Sequence, residues 1–273
     1  MLGSVADAQD MLQETFLRWQ QTSDDPIRAP RAFLTIISRL CINHLQSARS
    51  QREQYVGQWL PELLLTGPGS NPLDLLRIDE SVSMAFLVML ERLTAVERAV
   101  FLLREVFEYE YAAIGNSVGE SEANCRQILH RARQHVGAGC PRFEAPEPKH
   151  GELLERFFRA TDSGDMRGLV ELLAEDVVLQ SDGGGKGPAV PNVVSGADKV
   201  GRGIVLGLDK LVPKNLVRRV AQINGEPGIV SYLNGRPYAV VTLDVSEGRI
   251  RTIYVITNPE KLSHLPDLPV APC

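Results

Sequence analysis

Arg126, Gln127, His130, Arg131 and Arg133 are residue types that reach base edges and phosphates, and they fall in the gaps of an apolar stripe. The stripe is Cys125, Ile128, Leu129, Ala132 and Val136, at helical spacing, so one face of this segment packs while the other meets solvent or DNA. A second set lies towards the C-terminus. Asp182, Asp244, Tyr232, Tyr238 and Tyr254 could by type serve acid–base chemistry, which needs a buried Asp or His beside a polarising donor, and their spacing sets no such geometry. The run Asp182-Gly183-Gly184-Gly185-Lys186-Gly187-Pro188 lacks the spacing of a P-loop and the Ser or Thr after its Lys, which rules out that nucleotide cradle. It reads either as a flexible strand-end loop or as a place where another backbone, such as an interdomain linker, comes close. Cys41, Cys125, Cys140 and Cys273 have no metal-ligand spacing and read as reduced packing residues. No catalytic constellation, metal site or cofactor is expected.

The elements that position these side chains follow from periodicity. From Ala8, residues Met11, Leu12, Phe16 and Trp19 recur as the stripe of a first helix, with Asp10, Gln13, Glu14 and Arg18 on other faces. Thr22 to Pro30 is a loop, and Pro30 opens a long helix with the stripe Phe33, Ile36, Ile37, Leu40 and Leu45. Arg39, Arg49 and Arg52 make its far end basic. Gly57 to Pro72, rich in Pro and Gly around Trp59-Leu60-Pro61-Glu62, reads as a linker. Helical periodicity resumes near Ile78. Thr94 and Glu97 form a capping box before the face Val96, Ala99, Val100, Leu103 and Phe107. Glu110 to Val136 then reads as a helix-turn-helix: a helix ending near Ser117, a turn at Val118-Gly119-Glu120, and a helix capped by Ser121.

Pro141, Pro146 and Pro148 mark a second linker, after which the texture changes. Helices are expected over 151–162 and 166–174 and a strand over 176–181. Segments 215–224, 228–233, 237–245 and 249–257, joined by turns at Glu226-Pro227, Asn234-Gly235 and Glu247-Gly248, form an antiparallel meander.

At 273 residues the chain has room for two or three domains, and 44% hydrophobic with 23% charged residues is ordinary globular composition. A net charge of −5 argues against a protein that grips bare nucleic acid through bulk positive charge. The longest apolar run, 85–90, is far short of the roughly 20 residues of a membrane span. With no basic, apolar leader at the start, a cytoplasmic location is expected.

In its N-terminal half the sequence resembles the extracytoplasmic-function sigma factors of bacterial RNA polymerase. Residues 7–19 resemble the region-two helix that binds the polymerase clamp, which implies that role for Asp10, Gln13, Glu14 and Arg18. Residues 29–34, running on to Arg49 and Arg52, resemble the segment that melts and reads the minus-ten element. Residues 93–98 and 128–133 resemble region four, which reads the minus-thirty-five element, and this implies DNA contacts by Arg126, Gln127, His130, Arg131 and Arg133. Asn43, His44 and Gln46 stand where relatives commonly carry an acidic residue, a leucine and an arginine. Relatives also carry about one further helix before the segment that opens this chain.

The resemblance extends to a subgroup with a C-terminal SnoaL-like, or NTF2-like, extension, marked here by Trp59-Leu60-Pro61-Glu62, Asp182-Gly183-Gly184-Gly185-Lys186 and Asn258-Pro259-Glu260-Lys261-Leu262. It implies that the extension is an attached regulator and that Trp59, Leu60, Pro61, Glu62, Asp182, Gly183, Gly184, Gly185, Lys186, Asn258, Pro259, Lys261 and Leu262 form its interface. Trp59 would otherwise be a linker aromatic covering local apolar surface. The expected fold is two all-α sigma domains, the second with a helix-turn-helix, followed by an α+β SnoaL-like cone with a curved antiparallel sheet. The expected boundaries are region two over 1–55, linker 56–77, region four 78–140, the cone 149–265 and a tail 266–273. The expected partners are core RNA polymerase and promoter DNA, with room for a small ligand in the cone and no membrane. The rival reading is a SnoaL-like small-molecule binder, or an isomerase- or cyclase-type enzyme, carrying a DNA-binding region.

Overall fold

The computed structural model describes residues 1–21, 30–52, 55–66, 82–136 and 149–268. The expected loop 22–29, linker residues 67–77, Ile78, the second linker with Pro141, Pro146 and Pro148, Cys140 and Cys273 lie outside the described residues. The chain divides into two compact units, Met1–Gln54 with Phe86–Pro141, and Tyr55–Ala85 with Arg142–Cys273.

The first unit is all helix. Helix α1 (Val5–Gln21) packs on α2 (Pro30–Arg52), with Leu2, Cys41 and Leu45 at the centre and Ala8, Met11, Ile37 and Ala95 around them. The expected α1 stripe is corrected here: Leu12 and Phe16 are each 47% exposed, whereas Thr15 is fully buried and returns its hydroxyl to the Met11 carbonyl at 2.6 Å. Helix α3 (Met84–Glu91) precedes α4 (Ala95–Phe101), which opens on the expected capping box. The Thr94 Oγ accepts from the Glu97 N–H at 3.3 Å, and a Glu97 carboxylate oxygen accepts from the Thr94 N–H at 3.0 Å. Burial works to raise the Glu97 carboxyl, but the Thr94 bonds and His135 outweigh it and hold the group below its ordinary range.

After α4 the chain widens into a π-turn over Leu102–Val106, with the Phe107 N–H donating to the Leu102 carbonyl at 3.1 Å. A π-turn advances the chain by one residue relative to the helical period. That slip carries Phe107, expected on the buried face, out to 47% exposure, while Tyr109 is buried. Helix α5 (Tyr111–Val118) and helix α6 (Glu122–Val136) then form the helix-turn-helix, with Gly119 at φ 78° making the bend and the Ser121 hydroxyl capping at the Asn124 N–H, 3.2 Å away.

In the second unit α7 (His150–Ser163), α8 (Met166–Leu172) and α9 (Ala197–Leu211) pack on a six-stranded sheet in the order β2-β1-β6-β5-β4-β3, an α+β cone as expected. The strands are β1 (Leu173–Asp182), β2 (Val194–Ser195), β3 (Val217–Ile223), β4 (Glu226–Leu233), β5 (Arg236–Ser246) and β6 (Arg249–Ile256), with a short α10 (Pro259–Leu262) after them. Strands β3 to β6 form the expected antiparallel meander. Three features depart from expectation. Strand β1 returns to pair in parallel with β6, α9 fills a stretch that carries no strand signal, and the first hairpin turns at Asn224-Gly225 (φ 52° and 81°), not at Glu226-Pro227.

Strand alternation sorts this sheet into two buried faces. Val177, Leu179, Ile229, Leu243 and Ile253 face the helices and form the core. Asp182, Val230, Tyr232, Val240, Thr242, Tyr254 and Ile256 point the other way and are buried too.

Candidate functional site

The linker docks at the end of that second face: Tyr55 and Leu60 bond Asp182 at the end of β1, Trp59 lies against Lys261 of α10, and Leu63 and Leu64 bond His264 and Asn224 further along. Asp182 is fully buried, and its two oxygens accept from four donors: Tyr55 Oη and Gly184 N (3.0 Å) on Oδ1, Leu60 N (2.9 Å) and Lys261 Nζ (2.7 Å) on Oδ2. Lys261, 4% exposed at its side chain, also donates to the Leu60 carbonyl and sits 3.3 Å from the centre of the Trp59 ring. A buried ion pair is tolerable only when its remaining lone pairs and protons are used, and here the linker backbone and two linker rings use them. Burial, then the bond to Asp182, pushes the Tyr55 phenol far above its ordinary range, so it stays a donor. Asn258 holds the same tyrosine through Nδ2 at 2.7 Å and caps α10 by accepting from Glu260 N at 3.0 Å.

The glycine loop earns its composition at this place. Gly184 and Gly185 have φ of 58° and 70°, and a Cβ on Gly184 would stand 2.4 Å from Asn258 Nδ2. One on Gly185 would press on Val56 of the linker at 3.2 Å, so of the two sequence readings of this loop, close approach by the linker fits. Lys186 is exposed and pairs with Glu260 at 2.5 Å. Leu60, Pro61, Gly183, Asn258 and Leu262 are buried, Trp59 and Glu62 half-buried, and Pro259 exposed at the first turn of α10.

Further along, the linker lies against the tip of the β3–β4 hairpin. Leu64 N donates to Asn224 Oδ1 (2.9 Å), Asn224 N to the Leu64 carbonyl (2.8 Å), Thr66 N to the Gln222 carbonyl (2.8 Å) and Gly225 N to Thr66 Oγ1 (2.7 Å), while His264 Nε2 meets the Leu63 carbonyl at 2.6 Å. Sequence reasoning missed Tyr55, Leu63, Leu64, Thr66, Asn224 and His264. The turn was expected two residues later, at Glu226-Pro227, and nothing in Asn224-Gly225 says that a distant segment will use the turn's open backbone groups.

In the helical unit, Arg126, Gln127, His130, Arg131 and Arg133 are exposed and share no face with the buried Cys125, Ile128, Leu129, Ala132 and Val136. Burial raises the Cys125 and Cys41 thiols, consistent with packing roles. Arg126 lies 4.8 Å above the Tyr111 ring and pairs with Glu122; Arg133 pairs with Glu105 at 2.7 Å. Arg49 and Arg52 belong to α2, but their side chains lie outside the described residues. Asp10, Gln13 and Arg18 are exposed and Glu14 half-buried, and with Leu17, Asn43, His44 and Ser47 they line a shallow groove between α1 and α2. In the same unit α2 grips the end of α5: Arg39 donates through Nε to the Ser117 carbonyl at 3.0 Å and through Nη2 to the Asn116 carbonyl, and Thr35 and Ser117 hydroxyls lie 2.9 Å apart.

The acid–base candidates do not converge. Asp182 is used up by the linker, Asp244 and Tyr254 face the same side of the sheet as Asp182, and Tyr238 lines a cavity on the opposite face. Among the described residues there is no metal-binding cluster, and no helix is long and apolar enough to cross a membrane.

A family model described as Sigma-70 region 2 matches residues 1–51, and one described as Sigma-70, region 4 matches residues 83–136. Over 97% of its length the chain is 36% identical to the ECF RNA polymerase sigma factor SigJ of Mycobacterium tuberculosis, covering 88% of that protein. It is 33% identical to the probable ECF RNA polymerase sigma factor SigI of the same species, with 97% of this chain and 89% of that one aligned. The crystal structure of M. tuberculosis SigJ superposes with a TM-score of 0.77 at 32% identity, covering 96% of this chain and 91% of the other. Two sigma regions in order, joined by a linker and followed by a cone that runs the length of a known relative, place this chain in the extracytoplasmic-function sigma factors of bacterial RNA polymerase.

Proposed function

We propose that this sigma factor, bound to core RNA polymerase in the cytoplasm, selects promoters through regions two and four, and that its C-terminal domain performs no covalent chemistry but controls those regions through the linker. The observation that carries the control reading is the buried Asp182–Lys261 pair closed around Leu60. Clamping 55–66 takes 12 of the 31 residues between α2 and α3 out of the free tether. The promoter elements to be read lie about 25 base pairs apart, roughly 85 Å along B-DNA. Regions two and four held together by Arg39 and Thr35 on α5 cannot both reach elements so far apart, so promoter engagement requires that contact to open and the tether to extend.

Within this reading Asp10, Gln13, Glu14 and Arg18 meet polymerase, Arg126, Gln127, His130, Arg131 and Arg133 meet the minus-thirty-five element, and Arg49 and Arg52 the minus-ten element. The exposure of the α6 residues and of most of the α1 set supports this. Run-off transcription with purified core enzyme tests it: the full chain is expected to give a promoter-specific transcript, and none at all would overturn the sigma assignment. Releasing the linker with Lys261→Met is expected to change transcript yield; an unchanged yield would remove the regulatory part.

A further inference from the structure

The face of the sheet opposite the linker carries a cavity of about 180 Å3. Phe157 and Phe158 of α7, Leu179 of β1, Ile204 of α9, Val241 of β5 and Val255 of β6 make its walls. Its polar groups are few. Thr161, Ser181, Ser231, Thr257 and Tyr238 contribute hydroxyls, Arg218 is already paired with Asp162, and no carboxylate or imidazole is among the described lining residues. Burial raises the Tyr238 phenol, which therefore stays protonated as a donor. A closed apolar cavity of roughly 150 Å3 binds benzene, so this mostly apolar space has the size and character for a small apolar guest.

The cavity and the linker clamp share strands, one residue apart. Ser181 lines the cavity and Asp182 holds Leu60; Thr257 lines the cavity and Asn258 holds Tyr55. The loop between them is tied to both. Ser181 Oγ accepts from Val190 N at 2.8 Å, Thr257 Oγ1 donates to the Pro188 carbonyl at 2.8 Å, and linker Gln58 Nε2 donates to the Val190 carbonyl at 3.4 Å. Pro188 and Val190 are themselves cavity wall.

We propose that this cavity binds a small neutral apolar molecule of about 8 to 12 non-hydrogen atoms with one hydroxyl or carbonyl, and that its occupancy tightens the grip on the linker. A guest packed against Pro188, Val190, Ser181 and Thr257 restrains the loop and strand ends that present Asp182 and Asn258, so binding and docking favour each other. By linkage the effect is reciprocal. The coupling, though not the cavity, rests on the reading of the linker clamp as the control point.

The test uses the full chain and 4-propylphenol, with 4-propylbenzoate as the charged counterpart. Saturable binding of the phenol is expected by calorimetry, with the benzoate weaker by about tenfold or more because its carboxylate would lose hydration among the apolar walls. At saturating phenol, hydrogen exchange at the Leu60 and Leu64 amides is expected to slow by about threefold or more, and Asp182→Asn should weaken phenol binding by the same factor. Gly207→Phe should abolish binding, since among the described residues nothing lies within 4 Å of a Cβ there and the substitution improves helix propensity. Should that variant not fold, the phenol-to-benzoate ratio and the exchange data still decide. A flat phenol titration up to about 5 mM, or equal binding of both probes, overturns the site. Binding with unchanged linker exchange overturns the coupling. Neither outcome touches the transcription test of the clamp, whose failure would in turn leave phenol binding intact.

Discussion

The exposed basic face of α6 and the buried pair under the linker handle charge in opposite ways. On α6, Arg126 and Arg133 are more than half exposed and paired with Glu122 and Glu105 in solvent. Such pairs are worth about 0–1 kcal/mol and are screened by salt, so each arginine can exchange its partner for a phosphate or a base edge at little cost. At Asp182 the same pairing chemistry is sealed from water with every acceptor position used, and breaking it strands a charge. The first arrangement suits a surface that must trade partners; the second suits a latch that must hold until something binds the released form better.

The contrast is broken most severely at Asp182. Asp182→Ala leaves Lys261 buried without its carboxylate and is expected to cost about 3–5 kcal/mol of stability in the C-terminal unit by denaturant unfolding. Asp182→Asn with Lys261→Met, which removes both charges, should recover most of that loss; no recovery would mean that packing, not the pair, carries the latch.

On α6 the expected losses are smaller and appear in affinity. Arg126→Ala should lower minus-thirty-five affinity by about 1–3 kcal/mol if the side chain makes a bidentate base contact, with the loss confined to particular base substitutions. A loss equal across all sequences would make it a phosphate contact instead.

A pH titration sharpens the comparison near the linker. Glu226 begins β4 just after the turn that holds Leu64, and burial, then the charge of Asp244, raises its carboxyl from 4.5 to about 7. The folded domain therefore favours the protonated form. That contribution is fully present below about pH 4.5 and is lost as pH rises through about 7, so unfolding free energy should fall over this window. Glu226→Gln, which stays neutral, should flatten the profile; an unchanged slope would place the titrating group elsewhere. The smallest effect is expected from Glu122→Gln, which removes the helix partner of Arg126 and should shift stability by only about 0.3–0.5 kcal/mol.

The two regions also differed in how far their sequences could be read. The α6 face was legible because it is local: a helical period of Cys125, Ile128, Leu129, Ala132 and Val136 sends Arg126, Gln127, His130 and Arg131 outward whatever packs beneath. The same reasoning misled at Phe107, where a π-turn broke the period, and at Leu12 and Phe16, where apolar type alone did not decide burial. The cone was legible as a meander because each hairpin is a neighbour pair, and two of the three turn where expected, at Asn234-Gly235 and Glu247-Gly248. Pairing of β1 with β6 is a long-range choice that leaves no mark on either strand, and α9 was passed over because no strand or turn signal drew attention to it. Of the clamp, Trp59, Asp182 and Lys261 stood out through family resemblance. Tyr55, Asn224 and His264 did not, because each acts through hydrogen bonds to groups more than 120 residues away along the chain.

The central claim is that the latch on the linker controls the contact between regions two and four. It is tested most directly by placing paired labels at the exposed positions Gln20 and Gln134, in the full chain and in its Lys261→Met variant, and measuring their distance distribution alongside promoter-specific transcription with core enzyme. The account predicts a wider distribution and a higher transcript yield in the variant, moving together; an unchanged distribution with an unchanged yield would contradict it.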